Sequence, residues 1–167
     1  MLADQFSQIF REEHRQVRDV LLDLIQAFQD RNRERVWDLL SRGSAFIGPH
    51  FRYEEEGLYP ALVEIYGPDQ IDQLYREHDH AIQSAGKLMA LADKPAYTDE
   101  DVAEATRIVR SILPHVSGCD GLSVMVEKLP EEKVQGILDL RDQARTEGLD
   151  LFQWVQKVRE RPIQEAP

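Results

Sequence analysis

The sequence predicts an all-α fold: a four-helix bundle of up-down-up-down order with additional helices at its C-terminal end. Three observations support this prediction. Apolar residues recur at intervals of three and four almost everywhere, no stretch alternates as a half-buried strand would, and the connections between apolar stretches are short. Because short connections join antiparallel neighbours, consecutive helices should run in opposite directions.

Turn and capping residues separate four apolar stripes. The first stripe ends near Arg31, Gly67 stops the second, the third ends near Pro95, and Thr98 is the predicted N-cap of the fourth. The stripes are formed, in chain order, by Phe6, Phe10, Val17, Leu21, Leu24 and Phe28; by Val36, Leu39, Leu40, Ile47, Leu58, Leu62 and Ile65; by Ile71, Leu74, Ile82 and Leu88; and by Val102, Ala105, Ile108 and Ile112.

The chain divides at about residue 125. Residues 1–125 carry the four stripes and form the predicted bundle. Residues 126–167 predict two more helices, from about Pro130 and from Asp150, as a C-terminal extension packed on the bundle. Hydrophobic cover is the simpler role for amphipathic helices of this kind, and partner binding or regulation is the alternative.

The composition narrows the possible functions. The chain has 167 residues and a formal charge of −11, so its surface should repel nucleic acid and anionic membranes. Its apolar runs fall short of the ~20 residues that cross a bilayer, and its N-terminus is charged, which predicts a cytoplasmic protein. The single cysteine, Cys119, excludes an internal disulfide and any multi-cysteine metal site, so a bound metal needs nitrogen and oxygen ligands.

Four of the five histidines continue the apolar stripes. They are His14, His50, His78 and His115, whereas His80 lies two residues from His78 and points away. One inward histidine is usually a hydrogen-bonded core residue. If an inward stripe covers about a third of each helix, four such placements by chance have a probability of roughly one in a hundred. The pattern therefore predicts one shared site.

The two histidines of each pair also lie at similar distances along the chain from the turn that joins their helices. His14 and His50 lie 17 and 19 residues from the first turn, and His78 and His115 lie 18 and 19 residues from the third. In antiparallel pairs, equal distances place side chains at one level of the bundle. The separations within the two pairs are 36 and 37 residues, so the chain resembles two similar helical hairpins that each supply half of a site.

Carboxylates accompany the second histidine of each pair. Glu54 follows His50 by four residues, on the same face, where it could bind or bridge a metal. The position four after His115 is Cys119, and the acid, Asp120, is five after. A proline and two glycines nearby predict an irregular turn that swings Asp120 inward, so Asp120 is favoured over Cys119 as the second carboxylate ligand.

Three neighbouring polar residues are expected at the surface: Glu55, Glu56 and His80. Glu55 could reach the site only if its helix is also irregular. None of the three is therefore included in the predicted ligand set.

Four motifs resemble those of a known family. They are the EEH that ends at His14, the HFRYEE from His50 to Glu55 followed by LYP, the EHDHAI that begins at Glu77, and the PHVSGCD that ends at Asp120. Together they resemble the haemerythrin family, also called the HHE cation-binding domain, over roughly residues 5–125. Each motif alone is weak, but the fourfold pattern is specific.

The resemblance implies two iron ions (Fe2+ or Fe3+) with an oxo or hydroxo bridge. The first two histidines of the ligand set serve one ion, the last two serve the other, and the two carboxylates bridge them. The ligand set that the resemblance implies is His14, His50, Glu54, His78, His115 and Asp120.

The third helix departs from the oxygen carriers of that family. The carriers have two histidines one turn apart there, but Leu74 and Ile82 stand four residues before and after His78. Water, another side chain such as Tyr75, or nothing fills the missing position. Simple reversible oxygen carriage is therefore disfavoured.

The resulting functional hypothesis is a di-iron protein that binds or senses O2, NO, peroxide or iron itself, with a small diatomic molecule as its main partner. One alternative is an oxidase, peroxidase or nitric oxide reductase with the same centre. The other is a structural or storage site for a divalent metal in a signalling module. A protein partner or a homo-oligomer is compatible with each hypothesis.

Overall fold

The computed structural model describes residues 1–165, and within them the chain forms helices and no strand. The prediction of an all-α fold is confirmed. A π-helical turn, Glu54–Leu58, joins α2 to α3, and a 3-10 turn, Val126–Lys128, follows α6. The helices are α1 (Leu2–Gln29), α2 (Arg33–Tyr53), α3 (Tyr59–Tyr66), α4 (Pro68–Ala92), α5 (Asp99–Cys119), α6 (Leu122–Met125), α7 (Glu131–Glu147) and α8 (Leu151–Lys157).

Side-chain caps fix the starts of α2 and α5. The Asn32 side chain accepts a hydrogen bond from the backbone N–H of Arg35 at the start of α2, at 3.0 Å. Thr98 is the N-cap of α5, as predicted: its hydroxyl accepts from the N–H of Asp101, whose carboxylate accepts from the N–H of Thr98. Gly67, between α3 and α4, has φ +84°, a left-handed conformation that glycine adopts without strain.

The four long helices surround the core. Helix α1 packs against α2 and α5, and α4 packs against α5 and α2. The buried apolar residues form two clusters along the bundle, one containing Val17, Leu24 and Ile108, and the other containing Phe6 and Phe10. The level of the predicted histidines lies between these clusters, since His14 follows Phe10 and precedes Val17 on α1.

The C-terminal helices lie against the bundle helices. Helix α7 packs on α1 and α2, and α8 packs on α2. Val134 and Ile137 of α7 join one apolar cluster, and Leu151 and Trp154 of α8 join the other. The extension therefore covers apolar surface on both clusters, and the domain boundary at residue 125 stays a prediction.

Gly48 permits the close approach of α8 to α2. A Cβ atom at this position would lie 2.6 Å from the backbone carbon of Asp150 and 2.6 Å from the nitrogen of Leu151. These atoms belong to the capped start of α8, where the Asp150 side chain accepts from the N–H of Gln153 at 2.8 Å. A side chain at position 48 would therefore displace backbone.

Among the described residues, no helix has both the length and the apolarity needed to cross a bilayer.

We expect Gly48→Ala to lower the free energy of unfolding by about 1–3 kcal/mol, because the added methyl group forces α8 away from α2. Gly86→Ala is the matched control, since nothing lies within 4 Å of a Cβ there, and it should raise stability by up to about 1 kcal/mol. Urea denaturation followed by circular dichroism measures both. Equal effects of the two substitutions would contradict the close approach.

Candidate metal centre

Glu54 lies at the centre of the bundle with an unusual environment for a carboxylate. Its side chain is 0% exposed, and neither of its oxygens has a hydrogen-bond partner. Oε1 lies 3.6 Å from Nε2 of His14 and 3.4 Å from Nε2 of His50, and Oε2 lies 3.0 Å from Nε2 of His78. These nitrogens are close to the carboxylate but are not oriented as hydrogen-bond donors to it.

Two groups of potential ligands share Glu54. We name them the first cluster (His14, His50 and Glu54) and the second cluster (Glu54, His78 and His115). In each cluster, one ligand atom per residue lies within 4.8 Å of the others, and all five residues are buried. A carboxylate that belongs to two such groups can bridge two cations.

The outer nitrogen of each cluster histidine also faces a carboxylate. Such a carboxylate accepts the Nδ1–H and directs Nε2 inward, as in histidines that bind metals. The Nδ1-to-oxygen distances are 2.7 Å for His14 and Asp120, 2.8 Å for His50 and Glu13, 3.0 Å for His78 and Glu55, and 2.6 Å for His115 and Glu77.

These four supporting acids follow the internal repeat of the chain. In each hairpin, the acid directly before the first histidine, Glu13 or Glu77, accepts from the second histidine of the same hairpin. The acid five residues after the second histidine, Glu55 or Asp120, accepts from the first histidine of the other hairpin. The two hairpins are therefore tied together reciprocally through hydrogen bonds at the site.

Asp120 lies outside both clusters. Its Oδ1 is 2.7 Å from Nδ1 of His14, and its Oδ2 accepts from Arg18 at 2.9 Å. The irregular turn expected before Asp120 does not form, because α5 stays α-helical to Cys119. Asp120 consequently keeps the lateral direction that a spacing of five residues gives on a regular helix.

Cys119 occupies the position in the second hairpin that corresponds to Glu54. The thiol is buried, and its Sγ lies 3.5 Å from Nε2 of His115, yet Cys119 belongs to neither cluster. Burial is the main cause that raises its pKa well above the usual value. The repeat therefore brings one inward carboxylate, Glu54, to the clusters.

The irregular turn lies after α2 instead, at Glu54–Leu58. The π-helical geometry directs Glu54 and the next residue, Glu55, inward together, and both are buried. The expectation that Glu55 lies at the surface was wrong, because the irregular helix that would allow it to reach the site is present. His80 is exposed, as expected, and contacts the Ser111 hydroxyl at 2.8 Å.

The charges of the site compensate for its burial. Burial alone would raise the pKa of Glu54, but the charge of His50 and the nearby imidazoles hold it well below its usual value. Burial would lower the pKa of His50, but Glu54 and Glu13 raise it to about 10. Glu54 is thus ionised, surrounded by imidazoles and without a hydrogen bond, which fits a ligand of bound cations.

The C-terminal extension neutralises two of the supporting acids. Arg141 of α7 donates from Nε to Glu13 at 2.7 Å. Arg159, after α8, donates to Glu55 at 2.9 and 3.0 Å and to Asp79 at 2.6 Å, and its side chain is 1% exposed. Residues far from the histidines in sequence therefore hold the carboxylates that orient them.

The position left open by Leu74 and Ile82 is not filled by Tyr75. The hydroxyl of Tyr75 donates to the backbone oxygen of Glu55 at 3.0 Å. The hydroxyl of Tyr59 instead reaches the second cluster, at 2.9 Å from Nε2 of His78.

Sequence reasoning missed several of these residues. Glu13 and Glu77 had a detectable signal, since each directly precedes the first histidine of its hairpin. Tyr59 lies beyond the π-helical turn, which shifts its direction in a way that regular helical spacing does not show. Arg141 and Arg159 lie in the extension, where no repeat or spacing relates them to the histidines.

We expect Arg159→Met to lower the free energy of unfolding by about 3–5 kcal/mol, because Glu55 and Asp79 would both remain buried without their closest charged partner. Arg42→Met is the control: it breaks an exposed ion pair with Asp38 and should cost under ~1 kcal/mol. Denaturant titration of both variants tests this. Similar small losses in the two proteins would show that the Arg159 contacts are not structural.

Comparison with known proteins places the chain in a family. The family model described as the hemerythrin HHE cation binding domain matches residues 5–122. No curated protein and no solved structure matches the chain at a significant level. The matched segment includes all residues of both clusters and every supporting acid. The chain therefore belongs to the hemerythrin HHE cation-binding domain family.

Proposed function

We propose that this protein holds two iron ions that share Glu54, within a four-helix bundle of up-down-up-down order, and that it binds or senses O2, NO, peroxide or iron itself. The observation that carries the proposal is the buried Glu54 carboxylate, which has no hydrogen bond and faces histidines from both hairpins. One oxygen is directed to each cluster, as expected of a bridging ligand.

The donor set suits iron. Each cluster offers two imidazole nitrogens and a carboxylate oxygen and no thiolate, a combination that non-haem iron accepts. His14 and His50 would hold one ion, and His78 and His115 would hold the other. When bound, such a pair supplies an open coordination position and electrons to a small ligand.

The protein itself orients the histidines and excludes water around them. The Phe51 ring stacks on His78 with centroids 3.7 Å apart, and the edge of Phe10 packs on His14 at 4.2 Å. Together with the supporting acids, these rings leave each imidazole little freedom to rotate. Asp120 acts in this proposal through His14, by holding its Nδ1–H, and not as a second bridge.

An apolar cavity borders the second cluster at His115. It has a volume of about 70 Å3, and its lining includes Val17, Leu21, Ala85, Ile112 and His115. An apolar cavity of ~150 Å3 admits benzene, so this one admits only smaller molecules. Its size and lining favour a small neutral ligand such as O2 or NO over an organic or ionic substrate.

The first test is metal analysis and absorption spectroscopy of protein expressed in iron-rich medium. We expect about two irons per chain with near-ultraviolet oxo-bridge bands, and loss of both in His50→Ala/His115→Ala. His80→Ala, which removes an exposed histidine, should keep them. Zinc or no metal in the wild type, or a double variant unchanged from it, would contradict the proposal.

A second experiment tests the cavity. Ala85→Leu fills part of it and should slow the binding of NO to the iron-loaded protein several-fold without changing its iron content. Ala103→Leu makes the same change on an exposed face and should bind NO at the wild-type rate. Stopped-flow absorption measures both rates. Equal rates in the two variants would show that the ligand does not pass through the cavity.

An enzymatic role is the second candidate. Leu74 and Ile82 occupy the places where a further histidine of α4 could bind, which leaves the second cluster with fewer protein ligands than an oxygen carrier has. A position open to substrate would suit an oxidase, peroxidase or nitric oxide reductase. Sustained turnover with a reductant distinguishes this candidate from a carrier or sensor.

A further inference from the structure

Tyr59 places a phenol beside the second cluster. The residue is 0% exposed and begins α3, directly after the π-helical turn. Its hydroxyl lies 2.9 Å from Nε2 of His78, the nitrogen that faces Glu54. The other nitrogen of His78 is already hydrogen-bonded to Glu55. The phenol therefore contacts Nε2, the nitrogen that would bind a metal, and not Nδ1, which is hydrogen-bonded to Glu55.

The distances from Nε2 of His78 to two nearby oxygens match those between neighbouring ligands of one metal ion. Because metal–nitrogen and metal–oxygen bonds are ~2.1 Å long, two ligands in adjacent positions of one ion lie ~3 Å apart. Nε2 of His78 has two oxygens at this distance, Oε2 of Glu54 at 3.0 Å and the hydroxyl of Tyr59 at 2.9 Å.

Metal binding would also remove the present partner of the phenol. A nitrogen whose lone pair binds a metal no longer accepts a hydrogen bond. The remaining contact of the Tyr59 hydroxyl is Sγ of Cys119, at 3.9 Å, which is a weak partner. A buried hydroxyl without a partner is unfavourable, so the loaded site favours direct binding of the oxygen to the ion.

We infer that Tyr59 is a ligand of the ion in the second cluster, which it binds as a phenolate. The inference rests on the proposed function, since it requires iron in that cluster. On binding, the O–H bond breaks, the proton passes to solvent, and an oxygen–iron bond forms with no change in the oxidation state of the iron.

The tyrosine beside the first cluster does not face the position of the ion. This tyrosine is Tyr53, whose hydroxyl donates to Oε2 of Glu13 at 2.7 Å and lies 3.3 Å from Nδ1, the outer nitrogen of His50. It therefore supports His50 from outside and does not face the ion. The two irons are inequivalent on this account, and the ion of the second cluster alone carries a phenolate.

The test uses iron-loaded protein oxidised with ferricyanide. Phenolate bound to iron(III) gives a visible charge-transfer band, whereas imidazole and carboxylate ligands absorb mainly in the near ultraviolet. We expect a visible band in the wild type, with enhanced tyrosine ring vibrations in the resonance Raman spectrum. Tyr59→Phe should lose the band, while Tyr97→Phe, the loss of a buried hydroxyl that donates to a backbone oxygen outside both clusters, and Cys119→Ser should keep it.

The outcomes separate this inference from the proposed function. A wild type without iron overturns both, whereas a wild type with two irons and no visible band overturns the inference alone. A band that persists in Tyr59→Phe, or that disappears in Cys119→Ser, also overturns it.

A further variant covers the case in which Tyr59→Phe does not fold. The triple variant Tyr66→Phe/Tyr75→Phe/Tyr97→Phe retains only Tyr53 and Tyr59, and the hydroxyl of Tyr53 faces the outer nitrogen of His50 and not the ion. Persistence of the band there supports Tyr59 as the ligand. Its loss would overturn the inference.

Discussion

The burial of one ionised carboxylate, Glu54, is the constraint on which the rest of this structure depends. A charge without a hydrogen bond in a protein interior is strongly unfavourable unless opposite charge compensates for it. Imidazoles from all four long helices supply that compensation here, and bound cations would supply more. Each imidazole needs an outer acid to orient it, and several of these acids need an arginine. The site therefore extends from the bundle axis to the C-terminal helices.

The twofold repeat of the chain determines the supporting acids of the site but not its inward carboxylate. The supporting acids obey the repeat: Glu13 matches Glu77, and Glu55 matches Asp120. The inward position does not, because Glu54 is matched by Cys119. A single inward carboxylate gives the two clusters a common ligand, and each cluster adds two histidines to it. The two hairpins therefore match at the supporting acids and differ at the inward position.

The sequence predicted the helical fold and the inward histidines because both follow from regular helical spacing. Thr98 was identifiable as a cap, and Glu54 was identifiable one turn after His50. Glu55 and Asp120 were misplaced for one reason: the irregular turn follows α2 and not α5, and spacing alone does not locate a π-helical turn. The arginines of the extension were not predictable, since their contacts join residues more than a hundred positions apart in sequence.

The most direct test of the central claim is a crystal structure of the iron-loaded protein with anomalous diffraction measured on both sides of the iron absorption edge. We expect two iron peaks, one between Glu54 and the histidines of the first cluster, and one between Glu54 and those of the second. A single peak, or peaks that do not contact Glu54, would contradict a bridging role for this carboxylate and with it the shared centre.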